Sequence, residues 1–123
     1  MVSPFLRILL AAIISLPCAA SASPIRVLFL GHEGDGPGQG SHRPREMHPR
    51  LAMALGREAI YFDYVATPEA AFGDRERLFR YDAVLLYANH QTLDRALWQN
   101  LRDYVEQGGG FVAVHSASWC FQN

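Results

Sequence analysis

Four short runs of continuous apolar residues constrain the fold of this chain more than any other feature. The runs are Val27–Leu30, Ala59–Phe62, Ala83–Tyr87 and Phe111–Val114. A strand with one wet face alternates apolar and polar side chains, whereas a continuous run predicts a strand buried on both faces, as in parallel sheets. Segments of helical length separate the runs. The order of elements therefore predicts an α/β fold with a parallel sheet, right-handed crossovers and three layers.

One amphipathic helix stands out between the third and fourth runs. Four apolar residues recur there at every fourth position, namely Leu93, Leu97, Leu101 and Val105. This period predicts a helix from about Leu93 to Gln107. We predict Thr92 as its N-cap, Asp94 in its first turn and Gly108 just past its end.

The other helical segments are shorter or interrupted by proline. Three residues share one face of the segment before the second run, namely Met47, Leu51 and Leu55. Pro49 lacks an amide hydrogen, so we predict that the regular helix begins near His48 rather than at Pro44. Two further helical turns are predicted at Pro68–Phe72 and Arg75–Arg80, with a break at Gly73-Asp74.

Residues 1–22 have the features of a secretory signal peptide. Arg7 is the charged part and Ile8–Leu16 the apolar part, which is shorter than the ~20 residues that cross a bilayer. The small residues of Ala20-Ser21-Ala22 predict cleavage at their end. We therefore expect a secreted or periplasmic protein, detached from the membrane, whose single domain occupies residues 23–123. A retained membrane anchor is the alternative.

Charge and cysteine content narrow the choice of partner and chemistry. All eleven basic residues are arginine and twelve acidic residues oppose them, so nucleic acid is excluded as a partner. Cys120 is the single cysteine of residues 23–123, so no internal disulfide is expected. Its apolar neighbours predict that it packs as a small hydrophobic side chain. A nucleophilic pair with His115 is the alternative.

Polar residues follow three of the four runs, at the edge where open α/β sheets bind ligands. Four of the five histidines lie in these loops, namely His32, His42, His90 and His115. If they converge on one pocket, their neutral imidazoles could bind a sugar or a transition metal, or they could shuttle protons. Exposed loops also carry histidines without function, and no pair has the spacing of a known metal motif. Both interpretations stay open, and so does the cofactor.

Further candidate ligand-binding residues flank these histidines. Arg43 would suit an anionic group, Asn89 and Ser116 offer hydrogen bonds, and Trp119 offers a surface on which a sugar ring can stack. Two acidic residues, Glu33 and Asp35, also lie nearby. They do not form the pair of carboxylates at strand ends that a glycosidase uses.

The segment Gly31–Gly40 is rich in glycine and follows the first run. A dinucleotide-binding loop leads directly into a helix, whereas Pro37 and several further residues intervene here. A phosphate-binding GxxxxGK[ST] motif is excluded because the chain has no lysine. The segment is better explained as a loop that closes over a ligand.

The sequence resembles the ThuA-like (trehalose-utilisation) family over nearly all of residues 23–123. Four segments carry the resemblance: Ile25–His32 (IRVLFLGH), Ser41–Pro44 (SHRP), Arg80–Asn89 (RYDAVLLYAN) and Tyr104–Phe121 (YVEQGGGFVAVHSASWCF). The last is the most specific. The resemblance implies a flavodoxin-like, class I glutamine amidotransferase-like sheet and a role in sugar utilisation.

The resemblance also bears on the chemistry of the site. In the amidotransferases the strand similar to Phe111–Val114 leads into a sharp turn that carries the nucleophilic cysteine, and the matching residue here is His115. An imidazole cannot form the glutamyl thioester, so amidotransferase activity is expected to be absent. His115 and His32 are the expected catalytic residues, with a histidine as general acid–base on a sugar.

Partners and extent are likewise expectations from the resemblance. It implies a small sugar as ligand and a sugar oxidoreductase or haem-containing partner. A non-catalytic sugar-binding or docking module and an inactive fragment are the alternatives. The family's domain is longer than residues 23–123, so the resemblance implies the N-terminal portion of a domain, truncated after the fourth strand.

Overall fold

A four-stranded parallel sheet forms the centre of the molecule. The structure is a computed structural model that describes residues 23–32 and 42–122, apart from the side chain of Ser116. The strands are β1 (Ile25–Leu30), β2 (Ile60–Val65), β3 (Ala83–Leu86) and β4 (Gly110–Ala113). Their order in space is β2-β1-β3-β4, and all three pairings are parallel. The predicted parallel α/β class is confirmed. The predicted signal peptide and most of the glycine-rich segment lie outside the described residues.

Helices cover the sheet on both faces. They are α1 (Pro44–Leu55), α2 (Pro68–Phe72), α3 (Arg75–Leu78) and α4 (Arg95–Glu106), and 3-10 turns occupy Gly56–Glu58 and His115–Trp119. Phe29 faces α1, since its ring packs 6.0 Å from that of His48. The neighbouring Leu28 and Leu30 face the opposite way and pack in a cluster with residues of α2, α3 and α4. No helix of the described residues has the length and apolarity that crossing a bilayer requires.

The main core lies between the sheet and helices α2, α3 and α4. Six of its side chains are at most 1% exposed: Leu28, Leu30, Phe72, Leu78, Val84 and Leu86. Fully burying side chains of this size contributes ~1.5–3 kcal/mol each. Four of the six belong to β1 and β3, so these strands form the rigid centre from which the loops at the carboxyl edge project.

Burial of the strands differs from the prediction at the edge of the sheet. Val27–Leu30 of β1 is buried on both faces, as predicted. In β4, Phe111 and Val112 point to opposite faces and are 40% and 50% exposed. The difference has a simple cause. β1 has strand neighbours on both sides, whereas among the described residues β4 pairs only with β3.

The prediction that α1 begins near His48 is wrong. The helix begins at Pro44 and contains Pro49. Pro44 occupies the first turn, where a helix needs no amide donor. Pro49 removes one internal hydrogen bond, but packing of the helix against the sheet outweighs that loss, since the His48 ring packs against those of Phe29 and Tyr64. The two short helices agree with the predicted turns, except that α3 ends at Leu78.

Helix α4 begins two residues later than predicted and ends one residue earlier, with Gln107 as its C-cap. Asp94, not Thr92, is the N-cap, and its carboxylate accepts from the amide of Ala96 at 2.8 Å. The carboxylate is the stronger acceptor, which favours this cap. At the other end Gly108 has a φ of +96°. The amides of Gly108 and Gly109 donate to the carbonyls of Val105 and Tyr104, which completes a Schellman motif and directs the chain into β4.

Replacing Gly109 by alanine should destabilise the protein by ~1–3 kcal/mol. An added Cβ would overlap the ring of Tyr104, which is 2% exposed and cannot move away. Gly56→Ala is the matched control, because nothing lies within 4 Å of a Cβ at that position. Chemical denaturation of the two variants measures the difference. Equal stabilities would show that Tyr104 does not pack against Gly109.

The stability should fall as the pH rises from about 10 to about 12. Burial raises the pKa of Tyr104 from 10.0 to about 12, and the nearby Asp82 adds to the effect. In that range the unfolded chain loses a proton that the folded chain keeps, so folding becomes less favourable. Denaturation midpoints across the range should show a weaker decline in Tyr104→Phe. Tyr61→Phe, at a tyrosine that is 55% exposed, should decline as the parent protein does.

Candidate functional site at the carboxyl edge of the sheet

The strand order brings three polar loops to one edge of the sheet. β1, β3 and β4 are neighbours and run in the same direction, so their carboxyl ends lie side by side. His32 follows β1, His90 follows β3 and His115 follows β4. His42 reaches the same edge from the segment that enters α1. The predicted meeting of polar loops is therefore present, and the histidines form two pairs within it.

The first pair consists of His42 and His115. Their ring centroids lie 4.6 Å apart, with the planes inclined by 61°. The ring of Tyr87, the first residue after β3, lies 5.7 Å from that of His42. His115 is exposed and His42 is half-buried. Two imidazoles and a phenol thus meet where β3 and β4 end.

The backbone at His115 has a conformation that is unusual for a residue with a side chain. Its φ is +58°, in the left-handed region. That conformation costs a non-glycine residue ~1–2 kcal/mol. His115 is the first residue of the 3-10 turn, and Val114 alone separates it from β4. A strained turn of this kind holds the imidazole out from the end of the strand.

The second pair consists of His32 and His90. Their ring centroids lie 6.5 Å apart, and His32 is 3% exposed. The carbonyl of His32 accepts from the hydroxyl of Tyr64 at 2.9 Å, and Nε2 of His90 lies 2.8 Å from the carbonyl oxygen of Gly31. The ring of His90 also stacks on that of Phe121. These contacts fix the carboxyl end of β1.

The remaining predicted ligand-binding residues each have contacts or exposure of their own. Arg43 pairs with Glu46 at 3.1 Å, both exposed. The Asn89 side-chain oxygen accepts from the side chain of Gln91 at 2.8 Å. Trp119 is 67% exposed on the 3-10 turn that follows His115. Ser116 lies in the same turn, and its side chain is not among the described parts of the structure.

Cys120 packs against the main core, as its apolar neighbours predicted. Its thiol donates to the carbonyl of Ala88 at 3.1 Å. Burial raises the pKa of this thiol above its usual value. A thiol with a raised pKa carries little thiolate, which is the nucleophilic form.

Sequence reasoning missed Tyr87 and a cavity beside it. The cavity has a volume of about 310 Å³ and lies between α1 and the sheet, with these lining residues: Phe29, Met47, Leu51, Leu85, Tyr87, Val114 and His115. The only sequence signal for Tyr87 was its place at the end of an apolar run. The cavity had none, because it depends on where α1 crosses the sheet.

A larger cavity of about 430 Å³ lies on the opposite face, between α4 and β4. No histidine lines it, so we place the site at the smaller cavity despite the difference in volume. Among the described residues no three His, Cys, Asp or Glu side chains come together as metal ligands would.

The strand order and the sharp turn after β4 define a flavodoxin-like α/β protein. The sequence profile of the family described as ThuA, trehalose utilisation, matches residues 26–123. Since this is most of the chain, the chain belongs to the ThuA family. The resemblance noted in the sequence is thereby confirmed. None of the curated proteins matches the chain.

Two solved structures share the fold. A ThuA-like protein from Bacteroides uniformis superimposes with a TM-score of 0.65 at 16% identity, over 88% of this chain and 43% of its own. A ThuA-like protein from Parabacteroides merdae gives a TM-score of 0.60 at 24% identity, over 80% of this chain and 35% of its own. This chain therefore spans less than half the length of both.

His115→Gly should be more stable than His115→Ala by about 1 kcal/mol, because glycine adopts a positive φ without strain. Both variants lack the imidazole, so the comparison isolates the backbone. The same pair of substitutions at Gln99, exposed within α4, should give the opposite order, since glycine is the poorer helix former. Urea denaturation of the four variants measures both differences. An alanine variant as stable as the glycine variant would argue against the left-handed turn.

Proposed function

We propose that this protein acts in carbohydrate utilisation, and that it binds or transforms a small sugar at the carboxyl edge of its sheet. Membership of the ThuA family supports the carbohydrate context. The contact between His42 and His115, at 4.6 Å, is the observation that carries the site. Imidazoles exchange protons near neutral pH and hydrogen-bond to hydroxyl groups in either direction.

His115 is the proposed general acid–base. It is exposed and follows β4 directly, so a sugar hydroxyl or carbonyl can approach its ring from solvent. The strained turn sets the direction of the ring, and a positioned acid or base contributes ~10²–10⁴ in rate. His42, whose ring centroid lies 4.6 Å from that of His115, is the second imidazole of the proposed site. Tyr87 adds a hydroxyl on the same side.

Amidotransferase chemistry is excluded from the proposal on two grounds. The residue at the sharp turn is an imidazole, which cannot form a thioester. The single described thiol, that of Cys120, is occupied by the carbonyl of Ala88 and has a raised pKa. Neither group would attack a glutamine side chain.

The role of His32 in the proposal follows from its burial. The sequence favoured it as a catalytic residue beside His115, but the ring is 3% exposed and packs against His90. We assign it the positioning of the loop after β1. His90, which lies 2.8 Å from the carbonyl oxygen of Gly31, supports the same loop.

A non-catalytic sugar-binding module is the second candidate function. Trp119 is 67% exposed and follows His115 by one 3-10 turn. An exposed indole beside hydrogen-bonding groups is a surface on which a sugar ring can stack without reaction. Such a module would deliver its sugar to a sugar oxidoreductase or a haem-containing partner. In either case we propose an exported protein, because residues 1–22 have the pattern of a signal peptide.

His115→Ala should separate the two candidates. If His115 is a general acid–base, the rate of sugar conversion should fall ~10²–10⁴-fold while the affinity changes much less. Affinity for trehalose and glucose is measured by calorimetry, and conversion by chromatography of the products. Arg57→Ala is the control, because Arg57 is exposed in the turn that precedes β2, at the opposite edge of the sheet.

Equal losses of rate and affinity in His115→Ala would reject the catalytic role and favour the binding module. In that case Trp119→Ala should lower affinity and leave the fold unchanged. Absence of binding to any sugar, with the protein folded, would reject the proposal as a whole.

A further inference from the structure

We propose that the ligand of this site is a glycoside with an apolar aglycone, whose sugar lies at His42 and His115 and whose aglycone fills the cavity beside them. This inference rests on the proposed function and names the substrate class. A free disaccharide such as trehalose carries hydroxyl groups on both of its rings and has no apolar group that would fill the cavity.

The cavity is continuous with the histidine pair. His115 and Tyr87 line its polar end, and Val114, the residue before His115, belongs to its wall. A ligand that touches the imidazole of His115 is therefore at the mouth of the cavity. Its volume of about 310 Å³ is at the lower end of the range of about 300–1,000 Å³ for small-molecule pockets.

The wall away from the histidines is apolar. Phe29, Met47, Leu51 and Leu85 supply it, from α1 and from the face of the sheet opposite the main core. A sugar hydroxyl against this wall would lose its hydrogen bonds to water and gain none. An aromatic ring would instead meet the ring of Phe29 and the adaptable thioether of Met47.

The position of the apolar wall also fixes the orientation of the ligand. The hydroxyl groups need partners, and among the described residues only Tyr87 and His115 bring polar side chains to the lining of the cavity. The glycosidic oxygen of a bound glycoside would then lie near His115, between the two parts of the ligand. The larger cavity near Trp98 lacks this combination, because no histidine lines it.

Binding of phenyl β-glucoside and methyl β-glucoside tests the inference. The two share the sugar and differ in the aglycone, so we expect the phenyl compound to bind at least about tenfold more tightly. NMR titration of the full chain gives both dissociation constants. The methyl signals of Leu51, Leu85 and Val114 should shift with the phenyl compound, and those near Trp98 should not.

Leu51→Gln places a polar group in the wall and should remove most of the advantage of the phenyl compound, while methyl β-glucoside binds as before. Met53→Gln is the control, because Met53 lies on the same helix and is 79% exposed. Met47→Gln provides a second wall variant if Leu51→Gln fails to fold, as judged by circular dichroism.

The outcomes separate this inference from the function on which it rests. Equal affinity for the two glucosides, or an advantage that survives both wall variants, would overturn the inference and leave a sugar site in place. Phenol binding as tightly as phenyl β-glucoside would overturn it as well, since the sugar would then contribute nothing. Failure of both glucosides to bind would overturn the inference, and it would overturn the proposed function as well only if trehalose and glucose also fail to bind.

Discussion

The parallel pairing of β1 with strands on both of its sides is the constraint on which the structure depends. The residues Val27–Leu30 of β1 are at most 7% exposed, so this strand tolerates no shift in register. Its fixed position aligns β3 beside it, and β3 in turn aligns β4. The carboxyl ends of these three strands are thereby held side by side at one edge of the sheet. Loops that are far apart in the chain meet there because the buried strands leave them no other arrangement.

The two faces of the sheet contribute differently to this arrangement. The face toward α2, α3 and α4 supplies the main core and hence most of the stability. The face toward α1 contains the cavity that ends at His115. Stability and ligand access are thus assigned to opposite sides of the same strands. Alternation along a strand makes this possible, since Leu85 and Leu86 are chain neighbours that serve one side each.

Local chemistry was enough to predict the elements, and non-local packing decided the site. Continuous apolar runs located all four strands, and Gly108 located the end of α4, because each depends on a few adjacent residues. The start of α1 was mispredicted. The hydrogen bond lost at Pro49 can be read from the local sequence, whereas the packing that offsets this loss comes from β1 and β2. The pairing of His42 with His115 depends on the strand order and on the path into α1. No spacing between these residues in the sequence encodes that.

At His115 the left-handed backbone conformation decides where the side chain is placed, and the identity of the side chain decides its chemistry. The strain belongs to the backbone, and every side chain other than glycine experiences it in nearly the same way. A thiol, a hydroxyl or an imidazole at this point would be presented to a ligand from the same position. Exchanging one reactive group for another would therefore require no rebuilding of the sheet.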